Sequence, residues 1–307
     1  MSLPYKYELA IGQNGEEYVL LDSVPGDHIS VGKENSKLGV CLNYAFPIES
    51  TCKHCCECYS VNGGNGLCYG QHGRFMIPDN KAVYANNYRF IQTHNRDEIL
   101  AEFDRNIALH PEIKNFRHFE VGDIPTEAYI EIMCTLAIRH HDMKFWAYTK
   151  KYELVNRYCF NHGCIPEKGK KPDCIPENLV IVFSEWMNSD GTYLHMNNPF
   201  DFPLSRFIPV GKENLIGKND FICPCSDPGH IGFCITCEHS CRDLKHGQSM
   251  CLLEHSTGKS KARDKSLSEA RKAHKEEQEA LLKEIKKELS ALRKVLLNAI
   301  VETENEF

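Results

Sequence analysis

The chain has 307 residues, of which 42% are hydrophobic and 25% charged, proportions that are typical of a globular protein. Its formal net charge of −6 excludes recognition of nucleic acid through overall charge, although a local basic groove remains compatible with it. No stretch has the length of a transmembrane helix, and the N-terminus has no apolar signal core. We therefore expect a cytoplasmic protein without a membrane partner, whose sixteen cysteines favour metal binding over disulfides.

Residues 1–33 predict an accessory β-hairpin. Two stretches of alternating apolar residues flank Asn14-Gly15, and that dipeptide is a strong hairpin signal. The following run, VCLNYAFPI, is apolar and aromatic and predicts a buried strand. This strand leads directly into a loop rich in cysteine.

The middle of the chain predicts parallel βα units. FRHFEVGD, KFWAYTK and NLVIVFSEW have the composition of strands, and segments with helical spacing separate them. One such segment begins at Pro125-Thr126. Another has an apolar stripe with helical spacing, formed by Ile99, Leu100, Phe103, Ile107 and Leu109. Alternation of this kind indicates an α/β fold, which we interpret as a partial (β/α) barrel over residues 34–222.

The remainder of the chain predicts two further parts. Residues 223–258 form a cysteine-rich metal subdomain. Residues 259–307 lack glycine and proline over most of their length and predict a long helix. A heptad seam runs along it through Leu282, Ile285, Leu289, Leu292 and Leu296. Such a helix either packs on the body of the protein or mediates self-association as a coiled coil.

The first cysteine cluster lies in the stretch TCKHCCECYSVNGGNGLCYG. It contains five cysteines, Cys52, Cys55, Cys56, Cys58 and Cys68. The C-x2-C-x2-C spacing is typical of a loop around an iron–sulfur cubane with a more distant fourth ligand, which Cys68 could supply. The spacing does not choose between Cys55 and Cys56, and His54 is a further candidate. Zinc is the competing metal, because four-cysteine sites also use C-x2-C.

A second cluster follows near the end of the α/β region. Its five cysteines fall within nineteen residues and are Cys223, Cys225, Cys234, Cys237 and Cys241. This density fits either a structural zinc or a second iron–sulfur cluster. A third group, Cys159, His162, Cys164 and Cys174, spans a short polar loop. Its residue types would suit zinc, but we expect a polar insertion there rather than a metal site.

Several segments in order resemble the phage "gene product 88" family. They are ENSKLGVCLNYAFPIESTC, CYGQHGRF, FEVGDIPTEAYI, FWAYTKKYELVNR, IPENLVIVFS, and a CP followed by C-x2-C-x3-C. The family shows N-x-K-L-G before a TC, then CYA, R-x4-GD, F-x2-YTK and a P-x-NL strand ending in serine. The similarity covers about residues 34–255 and implies a phage or prophage protein with an α/β fold and bound metal. Here CYA is CYG, and the first cluster holds extra cysteines.

A weaker, fold-level analogy points to radical S-adenosylmethionine enzymes. In these enzymes a three-cysteine loop follows the first barrel strand and holds an iron–sulfur cluster. The position of Cys52 to Cys58 after VCLNYAFPI is similar, and Gly122-Asp123 follows the next predicted strand. However, C-x3-C-x2-C is absent, because Tyr59 stands where the third cysteine would follow Cys52 and Cys56.

Three residues at predicted strand ends are candidate catalytic groups. Chemistry in parallel βα folds collects in the loops that follow the strands. Asp123 would hold a ligand amine or hydroxyl, or else would serve the N-terminus of the following helix. Lys150 would face an anionic ligand, or else is a solvated lysine. Ser184 also ends a strand, but no G-x-S-x-G surrounds it, so it is not a hydrolase nucleophile.

The sequence therefore supports two functional hypotheses. In the first, a 4Fe–4S cluster and S-adenosylmethionine or another substrate serve an enzyme with Asp123, Lys150 and Ser184 around the pocket. In the second, both cysteine clusters are closed zinc sites of a protein that binds nucleic acid or a protein partner. The substrate is not readable from the sequence in either case.

Overall fold

A computed structural model provides the structure of this protein. It describes residues 7–11, 17–21, 27–35, 38–52, 68–71, 73–186, 197–209, 211–218, 220–224, 234–237, 240–253, 283 and 287. The chain divides into two compact units, Met1–Ser226 with Phe233–Glu254, and Asp227–Gly232 with His255–Phe307. In the second unit the described residues are Lys283 and Lys287, both helical and exposed. The predicted heptad seam lies outside the described residues.

The N-terminal strands form a hairpin, as the Asn-Gly pattern predicts. Strands β1 (Tyr7–Ile11) and β2 (Glu17–Leu21) pair antiparallel, with Tyr7 opposite Leu21 and Ile11 opposite Glu17. They form a two-stranded sheet separate from the main one. The predicted turn residues, Asn14-Gly15, lie outside the described residues.

The described part of the chain contains a main sheet of eight strands. In chain order they are β3 (Gly32–Asn35), β4 (Gly39–Asn43), β5 (Asn115–Arg117), β6 (Lys144–Thr149), β7 (Leu179–Glu185), β8 (Leu204–Ile208), β9 (Phe221–Ile222) and β10 (Ser249–Leu253). Their order across the sheet is β3-β4-β5-β6-β7-β8-β10-β9. All neighbouring pairs are parallel except β3 with β4. This confirms the α/β class with parallel βα units.

Five α-helices connect the strands in the described residues. They are α1 (Ile48–Thr51), α2 (Pro78–Thr93), α3 (Arg96–Ala108), α4 (Glu127–Arg139) and α5 (Tyr152–Asn161). Local signals explain their starts: Pro78 occupies the first position of α2, and Thr126 caps α4 by accepting from the Tyr129 N–H. Asn95 forms a reciprocal capping box with Glu98 at the start of α3.

Helices α2 to α5 all pack on one face of the sheet, which we call the helix face. Leu42, Phe116, Phe145 and Leu179 stand in register across β4 to β7 and belong to one core with residues of these helices. Alternation along the strands directs other side chains to the opposite face. There Trp146 packs with Leu38 and Cys41, next to Cys234, and Val182 packs with Cys223 and Leu244. We call this second surface the cysteine face.

Some predicted boundaries differ from the structure. The strand expected over FRHFEVGD ends at Arg117, because the chain turns through left-handed conformations at Phe119 (φ 56°) and Gly122 (φ 89°). The apolar stripe of α3 is buried as predicted except at Leu109, which follows the helix and is 60% exposed. The helical region between β4 and β5 consists of two longer helices, α2 and α3, which are separated at His94-Asn95.

Four strands of the main sheet, β3, β8, β9 and β10, have no counterpart in the sequence-based interpretation. Strands β8, β9 and β10 come from segments without clear alternation, and β10 inserts between β8 and β9. The cysteine-rich segment therefore contributes β10 to the main sheet. Among the described residues, no helix is long and apolar enough to cross a membrane.

A buried polar chain crosses the aromatic part of the helix-face core. The Tyr44 hydroxyl lies 2.9 Å from His118 Nδ1 and 3.0 Å from the Tyr129 hydroxyl. His118 is 1% exposed and its Nε2 has no hydrogen-bond partner. Burial lowers the pKa of His118 to about 3, so the ring is neutral at physiological pH.

This histidine makes the protein sensitive to acid. Its pKa is lower in the folded protein than in the unfolded chain, where it is about 6.5, so stability is lost as the pH falls below about 6.5. We expect His118 alone to remove roughly 2 kcal/mol of unfolding free energy between pH 7 and pH 5. Urea unfolding of wild type and His118→Phe at both pH values measures this, and the variant should lose correspondingly less stability.

The exposed His141 offers a matched control. The variant His141→Phe should keep the acid sensitivity of the wild type. Equal pH dependence in wild type and His118→Phe would contradict the neutral, buried state of His118.

Candidate functional site at the carboxyl edge of the sheet

The carboxyl ends of β4 to β7 meet at one edge of the sheet, because these four strands are parallel neighbours. The segment after β4 leads through α1 to Cys52. The segment after β5 contains Gly122-Asp123, and Lys150 follows β6. Ser184 is the second-last residue of β7. The topology thus brings Cys52 and the sequence-predicted residues at the strand ends to a common edge.

Asp123 joins three of these segments. Its Oδ1 accepts from the Thr149 hydroxyl at 2.6 Å and from the Ile124 N–H at 2.7 Å, and its Oδ2 accepts from the Lys150 N–H at 2.9 Å. The Asp123 N–H donates to Thr51 Oγ1 at 3.0 Å. Asp123 is 4% exposed, and the N-cap of α4 is Thr126 instead. The carboxylate therefore ties the end of β6 to the loop after β5.

Gly122 allows a close approach at the same point. Its φ is 89°, and a Cβ placed there would lie 2.7 Å from the Phe46 carbonyl oxygen and 2.9 Å from Thr51 Oγ1. Real Cβ atoms do not approach a backbone oxygen so closely, and a left-handed conformation already disfavours other residues. The Gly-Asp pair is therefore required by the way the β4 and β5 loops pack.

Cys52 and Cys68 both lie near the apolar side chains of Ile48 and Val121. Cys52 packs on a small cluster that includes Ile48 and Val121. A Cβ on Gly70 would lie 2.5 Å from Val121 Cγ2, 3.0 Å from Ile48 Cγ2 and 3.6 Å from Cys68 Sγ. The glycine of CYG therefore lets the Cys68 segment approach the loop after β5. Cys55, Cys56 and Cys58 lie outside the described residues, as does His54.

Tyr69 lies among the candidate ligands and the strand-end cations. Its hydroxyl donates to the Glu120 carbonyl oxygen at 2.8 Å. Desolvation raises the pKa of Tyr69, and the other groups that act on this pKa are Arg117, Lys150, Cys68 and Cys52. The two described thiols of the first cluster and Lys150 are therefore within electrostatic reach of one tyrosine.

The two other predicted strand-end residues are near each other across β6 and β7. Lys150 Nζ lies 5.4 Å from the centroid of the Trp186 ring, a cation–π geometry. The Ser184 carbonyl oxygen accepts from the Tyr152 hydroxyl, and Ser184 pairs with Ser205 of β8. The positions of Lys150 and Ser184 beside the edge agree with the topology, while their roles stay predictions.

Arg117 is a candidate functional residue that the list of strand-end residues missed. It is the last residue of β5 and pairs in register with Trp146 on the cysteine face. Its guanidinium lies 5.3 Å from the centroid of the Tyr148 ring, and its buried Nε has no hydrogen-bond partner. No carboxylate of the described residues forms a salt bridge with it. The R-x4-GD motif contains this arginine and was the signal for it.

The second cysteine cluster lines the cysteine face beside Tyr148. Burial raises the pKa of Cys241 to about 11, while Tyr148 hydrogen-bonds its thiol and Cys237 also acts on it. The Cys237 N–H donates to the Cys234 carbonyl oxygen at 3.3 Å. Cys223 is 8% exposed and packs with Val182. Cys225 lies outside the described residues.

Metal binding at these clusters is not decided by the described residues. Among them, no group of three or more histidine, cysteine, aspartate or glutamate side chains is arranged to hold a metal ion. Three of the five cysteines of the first cluster and one of the second fall in the parts of the chain that are not described. The ligand sets therefore stay predictions.

The fold and this edge define an α/β protein with a parallel sheet, a glycine–aspartate turn after its second parallel strand and cysteines in the loop after its first. The family model of gene product 88 matches residues 27–201, more than half of the chain. The chain belongs to this family, which confirms the resemblance found in its motifs. No curated protein and no solved structure matches it. The matched region contains the first cysteine cluster and ends before the second.

Replacement of Gly122 by alanine tests the close packing of the two loops. The added Cβ would meet the Phe46 carbonyl oxygen in a left-handed conformation, so we expect the unfolding free energy to fall by about 3 kcal/mol. Urea unfolding monitored by tryptophan fluorescence measures the loss.

Gly163 provides the control for conformation alone. Its φ is 73°, and nothing lies within 4 Å of a Cβ placed there. Gly163→Ala should therefore cost only about 1 kcal/mol. Similar costs for the two variants would show that the contact with Phe46 is unimportant.

Proposed function

We propose that this protein is an iron–sulfur enzyme of the radical S-adenosylmethionine type. Its cluster would be held by three thiolates, those of Cys52 and Cys68 and one more from Cys55, Cys56 or Cys58, which leaves one iron open. When bound, a 4Fe–4S cluster with one open iron supplies electron transfer to a ligand bound at that iron. The observation that carries the proposal is the position of Cys52 and Cys68 around Ile48 and Val121, at the carboxyl edge of a parallel sheet.

The cysteine thiolates of this loop are suitable ligands for an iron–sulfur cluster. Thiolates are the usual ligands of iron–sulfur clusters, and the chain offers more of them in this loop than one cluster requires. Both described thiols, Cys52 and Cys68, are partly exposed. The apolar side chains of Ile48 and Val121 near these thiols would limit the access of water, which affects the reduction potential of a cluster.

The strand order supports a partial (β/α) barrel. Strands β4 to β8 lie side by side in chain order, and the helices between them cover one face. An open doubly wound sheet instead has a reversal of strand order with helices on both faces. One-sided winding is the arrangement found in βα barrels, where loops after the strands form the active site.

The other residues at this edge would position the site or bind the ligand. Asp123 is a positioning residue, because its carboxylate already bonds Thr149 and two backbone N–H groups. Arg117 and Lys150 would bind the anionic part of a ligand, such as the carboxylate of S-adenosylmethionine. An arginine on a partly buried surface that forms no salt bridge with a carboxylate of the described residues is well suited to that task. Ser184 would line the far side of the pocket.

Metal analysis after anaerobic purification tests the cluster. We expect a brown protein that absorbs at roughly 400 nm with about four irons per site. Cys52→Ala and Cys68→Ala should each lose most of the iron of this site, because each removes one thiolate ligand. Cys251 is a fully buried cysteine of β10 outside the two clusters, so Cys251→Ala should retain the iron. A colourless protein with stoichiometric zinc would contradict the proposal.

Binding of S-adenosylmethionine to the iron-loaded protein tests the role of Arg117. Arg117→Gln should weaken binding by about tenfold or more, since a charge-assisted hydrogen bond contributes about 1.5–3 kcal/mol. The variant should keep its iron, because Arg117 is not a ligand. Isothermal titration under anaerobic conditions measures both affinities.

Arg139 supplies the matched control for charge. It forms an ion pair with Asp104 at 2.6 Å at the end of α4, on the helix side of the protein. Arg139→Gln should bind S-adenosylmethionine like the wild type. If Arg117→Gln also binds like the wild type, Arg117 does not contact the ligand.

A second function is favoured by the cysteine face. Cys234 and Cys241 lie beside Tyr148 on the sheet surface, an arrangement that a structural zinc site would stabilise. In this alternative both clusters hold zinc, and the protein binds nucleic acid or a protein partner. The same metal analysis separates the two functions, because zinc at the first cluster leaves no open iron.

A further inference from the structure

A small cleft lies on the helix face, between the corner that joins α2 to α3 and the start of α4. Three segments form its walls: residues 91–99 at the corner, residues 125–126 before α4, and residues 128–132 within α4. Its volume is about 180 Å³. Its described lining contains no cysteine, so the cleft is separate from the candidate cluster ligands.

Gln92 is the polar side chain of this cleft that the fold leaves without a bond. It is the second-last residue of α2, lines the cleft and is 4% exposed. Its Oε1 has no hydrogen-bond partner, and no described residue bonds to its amide nitrogen. The other buried amides of α2 and α3, those of Asn86, Asn87 and Asn106, all donate to backbone carbonyl oxygens. A buried amide without a partner costs free energy, so Gln92 points to a ligand that supplies the missing bonds.

The remaining walls are mainly apolar and have room for one ring. The apolar residues that line the cleft are Ile91, Ile99, Pro125, Tyr129 and Ile132. An apolar cavity of about 150 Å³ is large enough to hold benzene. The exposed Ala128 also lines the cleft, so the cleft opens to solvent beside it.

The basic groups at the cleft are already paired with acidic groups. Arg96 Nη2 lies 3.3 Å from Glu131 Oε1 and donates to the Thr135 hydroxyl oxygen at 2.7 Å. His94 Nε2 lies 3.4 Å from Asp27 Oδ2. Because neither basic side chain adds an unbalanced charge, the cleft favours a neutral ligand over an anion.

We propose that this cleft, which we call the amide cleft, binds a neutral cyclic amide of one ring, the chemistry of a pyrimidine base such as uracil. Such a ring has an N–H beside a carbonyl oxygen, and a glutamine pairs with an adjacent donor and acceptor of a base through two hydrogen bonds. Since the ring offers both groups, it pairs with the Gln92 amide in either orientation of that amide. The apolar walls would enclose the rest of the ring. This inference goes beyond the proposed enzyme and does not depend on it.

Ligand-observed NMR titration of the full-length protein with uracil and with 2-pyridone tests the proposal. Ligands this small should bind with a dissociation constant of about 1 mM. The matched control ligand is 1,3-dimethyluracil, in which methyl groups replace both N–H donors, and it should bind at least about tenfold more weakly. Equal affinity for uracil and 1,3-dimethyluracil would overturn the proposal, as would the absence of binding by both uracil and 2-pyridone at about 10 mM.

Uridine distinguishes the two sources of a pyrimidine ring. Affinity equal to that of uracil would mean that the cleft accepts the base of a nucleoside with the sugar outside its opening. Binding of uracil without binding of uridine would mean that it takes the free base. Both results agree with recognition of the cyclic amide.

Replacement of Gln92 by leucine separates recognition from a structural role. Gln92→Leu should bind uracil at least about tenfold more weakly than the wild type. Without ligand it should melt about 2–4 °C higher, because an apolar side chain of similar size replaces a buried amide without a partner. A lower melting temperature would overturn the proposal, since it would show that the amide already has its bonds within the protein.

Asn106 provides the matched control for a buried amide. Its Nδ2 donates to the carbonyl oxygens of Ile29 and Glu102. Asn106→Leu should therefore melt at a lower temperature than the wild type and bind uracil with the same affinity.

Two exposed helical alanines test the position of the site. Ala128 lines the cleft, whereas Ala108 at the end of α3 does not. Ala128→Leu should weaken uracil binding by about tenfold, because the larger side chain obstructs the opening, and Ala108→Leu should bind like the wild type. Unchanged binding in Ala128→Leu would place the ligand elsewhere and overturn the proposal. None of these measurements depends on iron, so failure here and failure of the proposed enzyme are distinguishable.

Discussion

The carboxylate of Asp123 is the constraint on which the candidate site depends. It lies in the turn after β5, accepts from Thr149 at the end of β6, and is 4% exposed. A buried carboxylate is stable only when several donors compensate the loss of water. The Thr149 hydroxyl and two backbone N–H groups provide this compensation, so the turn has little freedom to move.

Around this carboxylate, small residues permit close contact between segments that are far apart in sequence. Gly122 brings the turn against Phe46 and Thr51, while Gly70 brings the Cys68 segment against Val121 and Ile48. Thr51 completes the link, since its hydroxyl accepts from the Asp123 N–H and donates to the Pro47 carbonyl oxygen. The loop that carries Cys52 and the return segment that carries Cys68 are thereby held on the same turn. Cofactor ligands from both ends of a long loop require such an anchor.

Much of this arrangement was predictable from the sequence because it depends on local signals. Alternation in KFWAYTK and NLVIVFSEW predicted β6 and β7, and Pro78 and Thr126 marked helix starts. Strand β10 was not predictable, because it inserts between β8 and β9 through non-local pairing. Short strands such as β9, with two residues, carry no period that a pattern could reveal.

The candidate site was predictable in position but not in roles. Gly122-Asp123 and Lys150 were expected at the carboxyl edge because parallel strands bring their ends together. The sequence did not reveal that the Asp123 carboxylate is already bonded within the protein, since that depends on the orientation of Thr149 from another strand. Arg117 was overlooked because it lies inside a strand rather than in the loop after it.

The two faces of the sheet suggest how stability and chemistry are divided in this chain. The helix face carries a continuous aromatic and aliphatic core in which the polar groups, such as His118 and Tyr44, bond to one another. The cysteine face is covered by short segments that offer thiols, and Arg117 of β5 lies on it without a salt bridge to any carboxylate of the described residues. Short irregular segments bury less apolar surface per residue than helices, so they need another source of order. If the second cluster binds metal as predicted, ligation there would supply this order, and the stability of this face would then depend on metal.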